Sequence, residues 1–524
     1  MSIRLRSTGR GMGMRSPILV AAMASLVHGY AGAMPRQITE NPLPAPVEKL
    51  GLEVEVQDLV RLPDTRGIRP PDLDVRPPGW ARVSYLRDLP DGRRFVNDSR
   101  GFLYRLEDSG PPRVYLNFAE LFPYTVYNRL LSGFVGFDFH PEFEDNGLFY
   151  TVHGEYAQDN PATPDFIPPG FSSGDVTFHN VVTEWQARDP SADRFAGTRR
   201  VVLRVAHVVE TLTHPLGHAA FNPTATRGDE DYGLLYIGGT DLGFSNGAGP
   251  NANNPGQLQR LDSLVGAILR IDPRSPSFSG GEKGVGDYTI PPANAFASDG
   301  NPDTLGEIYA HGFRNAHRLS WDLTDGTMYV SDIGMNHIEE INIVRNGENY
   351  GWMAREGFFE NGVGRPGGAL NELYPLPREV LSGEAGDPFT YPVAVYDHDE
   401  GRAVSGGFAY HGRIEALRGK FVFGDLNNGR LFAADLEAMK EADDGVPETV
   451  AAVEEIQLYI RDGSGTREDI SFAELVERAN GAAVSRADLH ISRGRDGELF
   501  LTSRQDGMVR MLVPDSGGAT AGRR

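Results

Sequence analysis

One local pattern recurs along most of this chain and narrows what it can fold into: a glycine-containing turn, then a short strand ending on an aromatic residue. It appears as RGFLYRL with Tyr104, NGLFYTV with Tyr150, YGLLYIG with Tyr236, DGTMYVS with Tyr329, RGKFVFGD with Phe423 and DGELFLT with Phe500. Asp-Gly and Asn-Gly before alternating apolar residues are hairpin signals, because glycine accepts the positive φ of a tight turn. Several copies follow another strand-like run (GFVGFDFHP, GHAAFNP, HRLSWD, DLHISR), and several precede one (VVLRV, GAILRID, EEINIV, GRLFAADL, GMVRMLV). Six units of three or four antiparallel strands predict an all-β, six-bladed β-propeller, whose radial repetition leaves few exposed edges.

The turn glycines Gly101, Gly147, Gly233, Gly326, Gly419 and Gly497 are unevenly spaced. A propeller absorbs such unevenness in face loops, expected here at 157–176, 240–262, 355–391 and 438–484. The last is expected to contain a short helix around FAELVERAN. The 524 residues would ordinarily suggest two or three domains, but the repeats assign 81–514 to one body. The 63 glycines and 36 prolines supply its turns.

Residues 1–33 read as an export signal. Arg4, Arg6, Arg10 and Arg15 precede an apolar run at 17–27, and Ala31-Gly32-Ala33 forms a small-residue cleavage site. Residues 34–80 form a Pro-rich lead-in with one alternating segment, GLEVEVQDLV at 51–60, that suits a strand, and 515–524 read as a disordered tail. The expected location is periplasmic or secreted, with no membrane insertion of the mature chain. A net charge of −22 without a basic cluster excludes nucleic acid as a partner. With no cysteine, the fold lacks disulfides, thiolate metal sites and covalent c-type haem.

The chemistry-bearing stretch is 307–352, EIYAHGFRNAHRLSWDLTDGTMYVSDIGMNHIEEINIVRNGENYGW. With GFVGFDFHPEFEDNGLFYTV, GAILRIDP, SGGFAYHG, LRGKFVFGDLNNGRLFAADL and LHISRGRDGELFLTSRQDGMVRMLVP, it resembles the glucose/sorbosone dehydrogenase family, the soluble quinoprotein sugar dehydrogenases. The resemblance implies a six-bladed propeller that binds pyrroloquinoline quinone and calcium (Ca2+) on its axial face. It also implies oxidation of an aldose or related alcohol by base-assisted hydride transfer, with electrons passing to a separate acceptor.

Carried onto this sequence, the base is His214 in THPLGHAAFNP, an imidazole of ordinary pKa near 6.5. Arg314 and Asn315 match the Arg-Asn that contacts quinone oxygens, and a guanidinium can stabilise charge developing there. The backbone carbonyls of Gly334 and Met335 in SDIGMN match calcium ligands, as suits a hard cation. Three positions depart from the family. The carboxylate expected before the base is Thr213; a lysine that pairs with cofactor charge is Asn427; and two clamping arginines fall near Ser485 and Ala487, with Arg486 between them. The aromatics Trp321, Tyr350 and Trp352 suit either strand-end packing or sugar stacking. Two other readings stay open: a calcium-dependent lactonase-type propeller hydrolase, and a non-catalytic binding propeller that has lost its cofactor site.

Overall fold

In a computed structural model, residues 36–66, 80–107, 110–121, 133–210, 213–245, 250–251 and 254–515 are described. The expected export signal and residues 516–524 lie outside them. The strands sort into six four-stranded antiparallel blades. Their innermost strands are Val83–Asp88, Phe134–Phe139, Ala219–Phe221, Ala316–Trp321, Val404–Tyr410 and Leu489–Arg493. Five of the six recurring turns lead into second strands, as at Leu148–Tyr156 and Met328–Asp332. At Gly147, with φ at 71°, a Cβ would collide with the Ala187 carbonyl, so the hairpin there requires glycine.

The first copy is out of step. RGFLYRL forms the third strand of blade one, Phe102–Leu106, while the second strand, Arg94–Asp98, follows Asp91-Gly92. The two segments share the same turn chemistry, so the pattern alone did not separate them. The stretch 438–484 is also more than a loop: it holds the outer strand of blade five, Val453–Arg461, as well as the expected helix at Phe472–Asn480. Ser471 caps that helix and Glu474 completes a capping box.

The Pro-rich lead-in supplies the closing element. Its strand Glu48–Arg61 pairs antiparallel with Met508–Val513 as the fourth strand of blade six. On its other edge it pairs parallel with Val453–Arg461 of blade five. Joining an N-terminal strand to C-terminal ones closes the ring without a covalent link.

The core lies in the wedges between blades. Val83 and Val96 meet Phe500 and Val509 between blades one and six. Val152 and Val182 meet Leu235 and Leu269 between two and three. Tyr236 and Ile268 meet Leu319 and Val330 between three and four, and Tyr329 and Ile341 meet Phe421 and Phe423 between four and five. Burial of both faces of each blade explains why its strands read as short apolar runs.

Candidate active site

Antiparallel strands alternate in direction, so two kinds of link emerge on one face: fourth strand to next inner strand, and second strand to third. Every candidate residue falls in such a link. His214 joins blades two and three, Arg314 and Asn315 join three and four, and Arg486 joins five and six. Gly334 and Met335 follow the second strand of blade four, and Asn427 that of blade five.

His214 is buried and sits at φ 47°, a left-handed conformation that costs a non-glycine residue energy. Two consecutive residues of the next blade hold it. The Thr240 hydroxyl donates to the His214 carbonyl at 2.5 Å, and the Asp241 carboxylate lies 2.7 Å from His214 Nδ1. Asp241 is fully buried and also accepts from the Gly243 N–H at 2.9 Å and from Ser245. The orienting carboxylate missing at Thr213 is therefore supplied from the 240–262 loop. It fixes the tautomer and leaves Nε2 as the ring atom free to work.

Burial pushes the His214 imidazole below its ordinary pKa; Asp241 opposes this and Arg314 adds to it. The ring is therefore neutral at neutral pH. Burial alone would raise the Asp241 carboxyl, but His214, Arg314 and Ser245 together hold it well below the usual range.

Arg314 stands beside this pair. Its carbonyl accepts from the Asp241 N–H at 2.7 Å. Its own N–H and that of Asn315 donate to the two oxygens of Asp332, at 3.1 and 2.6 Å. Arg314 Nη1 donates to the carbonyls of Ile333 and Gly334, at 3.0 and 2.7 Å. The guanidinium lies 5.8 Å from the centre of the Trp352 ring. Arg314 Nε and Trp352 Nε1 are both buried donors without a hydrogen-bond partner, which is what a bound polar ligand would satisfy. Tyr350 instead stacks on Phe313 at 4.6 Å and Trp321 packs on Tyr236 at 5.3 Å, so these two serve packing.

The turn holding Gly334 and Met335 is clamped from the 355–391 insert, which carries a small sheet of its own. One oxygen of Glu356 accepts from the N–H groups of Met335, Asn336, His337 and Ile338, at 2.9, 3.0, 2.9 and 3.2 Å. Burial would raise this carboxyl, but the His337 side chain and the backbone donors hold it at about 2.

Beside that turn, a cavity of about 720 Å³ is lined by His398, Arg402, Asn427, Ser485, Arg486 and Ala487, among others. Glu339 links it to Arg314's neighbours, meeting His398 at 2.9 Å and accepting from the Gly334 N–H at 3.3 Å. The volume suits a small polycyclic ligand, and Arg402 and Arg486 lie in a lining that also includes Asp399. Arg486 is paired with Asp488, so Arg402 is the lining cation nearest to replacing the charge absent at Asn427. The size fits the quinone, and its charge is met only in part.

The Gly334 carbonyl does not fit a cation: it already accepts from the Arg314 guanidinium, which would repel a metal ion on the same oxygen.

The six-bladed propeller carries a carboxylate-held histidine and an arginine in links on one face. The chain belongs to the Glucose / Sorbosone dehydrogenase family, whose sequence model matches residues 82–470. It is 26% identical over 383 residues to the HIPL1 protein of Arabidopsis thaliana, covering 67% of this chain and 49% of that one. It is 27% identical over 388 residues to the HIPL2 protein of the same plant, covering 67% and 52%. The chain thus spans about half the length of the curated relatives it matches.

Among solved structures, the soluble aldose sugar dehydrogenase of Escherichia coli in its apo-form superposes with a TM-score of 0.53 at 18% identity, covering 88% of this chain and 99% of that one. A putative oxidoreductase (glucose dehydrogenase) of Thermus thermophilus gives 0.53 at 19%, covering 88% and 100%. Both share the fold.

Sequence reasoning missed Asp241, Glu356, His398 and Arg402. Asp241 follows the strand YIG in YIGGTDLG, but nothing local marks it as the partner of a histidine 27 positions earlier.

Proposed function

We propose that this chain is an oxidoreductase that removes hydrogen from a hydroxyl of an aldose sugar or related alcohol, using pyrroloquinoline quinone. The observation that carries this reading is the buried His214–Asp241 pair beside Arg314, with two buried unpartnered donors on Arg314 and the adjacent Trp352. When bound, the quinone would supply the two-electron acceptor for a hydride. Arg314 Nε and Trp352 Nε1 would donate to its oxygens, and Arg402 and Arg486 would face its carboxylates.

His214 Nε2 takes the hydroxyl proton as the C–H bond weakens. Asp241 keeps Nδ1–H in place and stabilises the imidazolium that forms. Electrons then leave to a separate acceptor, and export places the reaction in the periplasm or outside the cell.

The test uses the full chain titrated with pyrroloquinoline quinone, followed by tryptophan quenching and by dye reduction with a panel of aldoses and alcohols. The expected result is saturable binding and substrate-dependent dye reduction. In His214→Ala, binding persists and turnover falls on the order of 100- to 10,000-fold. Absence of both quinone binding and dye reduction in the wild-type chain would overturn the reading.

A further inference from the structure

The inner strands of all six blades face a common axis, and what they place there is cationic and imidazole-rich. Blade four contributes His317 and Arg318, blade six His490, and the start of blade three His218. Arg318 is 2% exposed. Its Nη2 donates to the Ser84 carbonyl at 3.1 Å and its guanidinium lies 4.9 Å from the Tyr85 ring centre. Its Nε is buried without a partner. Among the described residues, no carboxylate pairs with it. Burial pulls this guanidinium down to about 10, with Tyr85 opposing.

The imidazoles are equally short of partners. His490 is 1% exposed and both ring nitrogens lack a hydrogen bond, as does Nε2 of His317. The two rings stand 5.8 Å apart. Positive charge continues along the axis in both directions, with Arg504 and Arg486 on one side and Arg87 and Arg493 on the other. Arg486 and Arg87 are matched by Asp488 and by Asp138; Arg318 lies between them without such a match.

Glycines on two of the other blades let these side chains approach the inner strands closely. A Cβ on Gly406 of blade five would collide with the Arg318 side chain, and one on Gly136 of blade two would lie 3.8 Å from the His218 ring. A buried guanidinium without an acid is costly unless an anion neutralises it. Water can satisfy the nitrogens but not the charge.

We infer that the propeller axis holds a small anion, bound by Arg318 with His317 and His490. The chemistry required is one negative charge and acceptor lone pairs, met by a halide or by a carboxylate of a larger ligand. Arg486, at one end of this cluster, also lines the cavity proposed for the quinone, so a quinone carboxylate is one candidate occupant, but the anion site itself does not depend on the proposed oxidation.

The test uses the full chain without added quinone. Crystals grown in sodium bromide without chloride, measured at the bromine absorption edge, should show an anomalous peak between Arg318 and His490. In solution, bromide should raise the thermal midpoint over sodium gluconate of equal ionic strength. Arg318→Met should lose that dependence while melting no lower than wild type in gluconate. His490→Gln should weaken bromide about tenfold, the value of one hydrogen bond.

Soaking the bromide crystals with pyrroloquinoline quinone separates the two sources. Loss of the peak identifies a carboxylate as the occupant, and its retention an inorganic anion; either keeps the site. An axis without a bromine peak, or an undiminished bromide shift in Arg318→Met, overturns the inference. Because the diffraction arm needs no variant, a variant that fails to fold does not blunt the test.

Discussion

An imidazole serves as a base only while it is neutral and aimed, and at His214 both conditions are set by residues distant in sequence. Burial keeps the ring neutral, and Asp241 both aims it and returns part of the basicity that burial removes. Asp241→Asn separates these effects. The amide cannot stabilise an imidazolium, so kcat in the quinone-loaded assay should fall by roughly 100- to 10,000-fold with little change in KM. The sign of the pH effect follows from the same contacts. His214 must be deprotonated to act, so the acid limb of wild-type activity lies below the ordinary histidine pKa. Losing the carboxylate leaves burial and Arg314 unopposed, so the limb moves to still lower pH. A pH–rate profile of both proteins measures this; superimposable limbs would show that Asp241 does not act on His214.

At the scale of elements, the 334–338 turn shows how a face loop is made rigid. Four successive N–H groups converge on one oxygen of Glu356, which arrives from an insert between the third and fourth strands of blade four. Glu356→Gln keeps the shape and removes the charge that makes these bonds strong. The variant should lose about 2 kcal/mol, and the amides of 335–338 should exchange with deuterium far faster than in the wild type. Unchanged exchange would mean that the turn is held by its own geometry.

The same elements show what was legible in the sequence. Strand-and-turn periodicity is local, so the blades, the lead-in strand and the helix at Phe472–Asn480 could be read from it. His214, Arg314, Asn315, Asn427 and Arg486 could be set on one face because link order follows from blade order. The partners of these residues could not. Asp241 reaches His214 and Glu356 reaches Met335 only after blades and inserts have closed in three dimensions. The pairing of Glu48–Arg61 with the C-terminal strands is equally non-local, and an alternating run of residues carries no label for its neighbour.

For the whole molecule, the net charge is −22 and many carboxylates are buried, yet the axis gathers Arg318, Arg504 and Arg486 around His317 and His490, so the local field there is not a consequence of composition. The same interior sets the response to acid. Burial holds His140, His153, His179, His214, His218, His311, His317 and His490 below the ordinary histidine pKa. Each takes a proton in the unfolded chain near pH 6.5 but refuses it in the fold, so stability falls as pH drops below 6.5 and until the folded value is reached.

His311, brought to about 4 and only 9% exposed, represents roughly 3 kcal/mol by itself. Buried carboxyls oppose this: burial raises Asp138, Asp332, Glu339, Glu340 and Asp506, with Glu339 adding to Asp332 and Asp332 adding to Glu340, and so does His398, held up by Glu339. The fold gains when these groups take protons, so the imidazole part is read by difference. Chemical denaturation between pH 6.5 and 5 should show the unfolding free energy of the wild-type chain falling relative to that of His311→Leu. A difference that stays level across that interval would show that His311 takes solvent protons in the folded state.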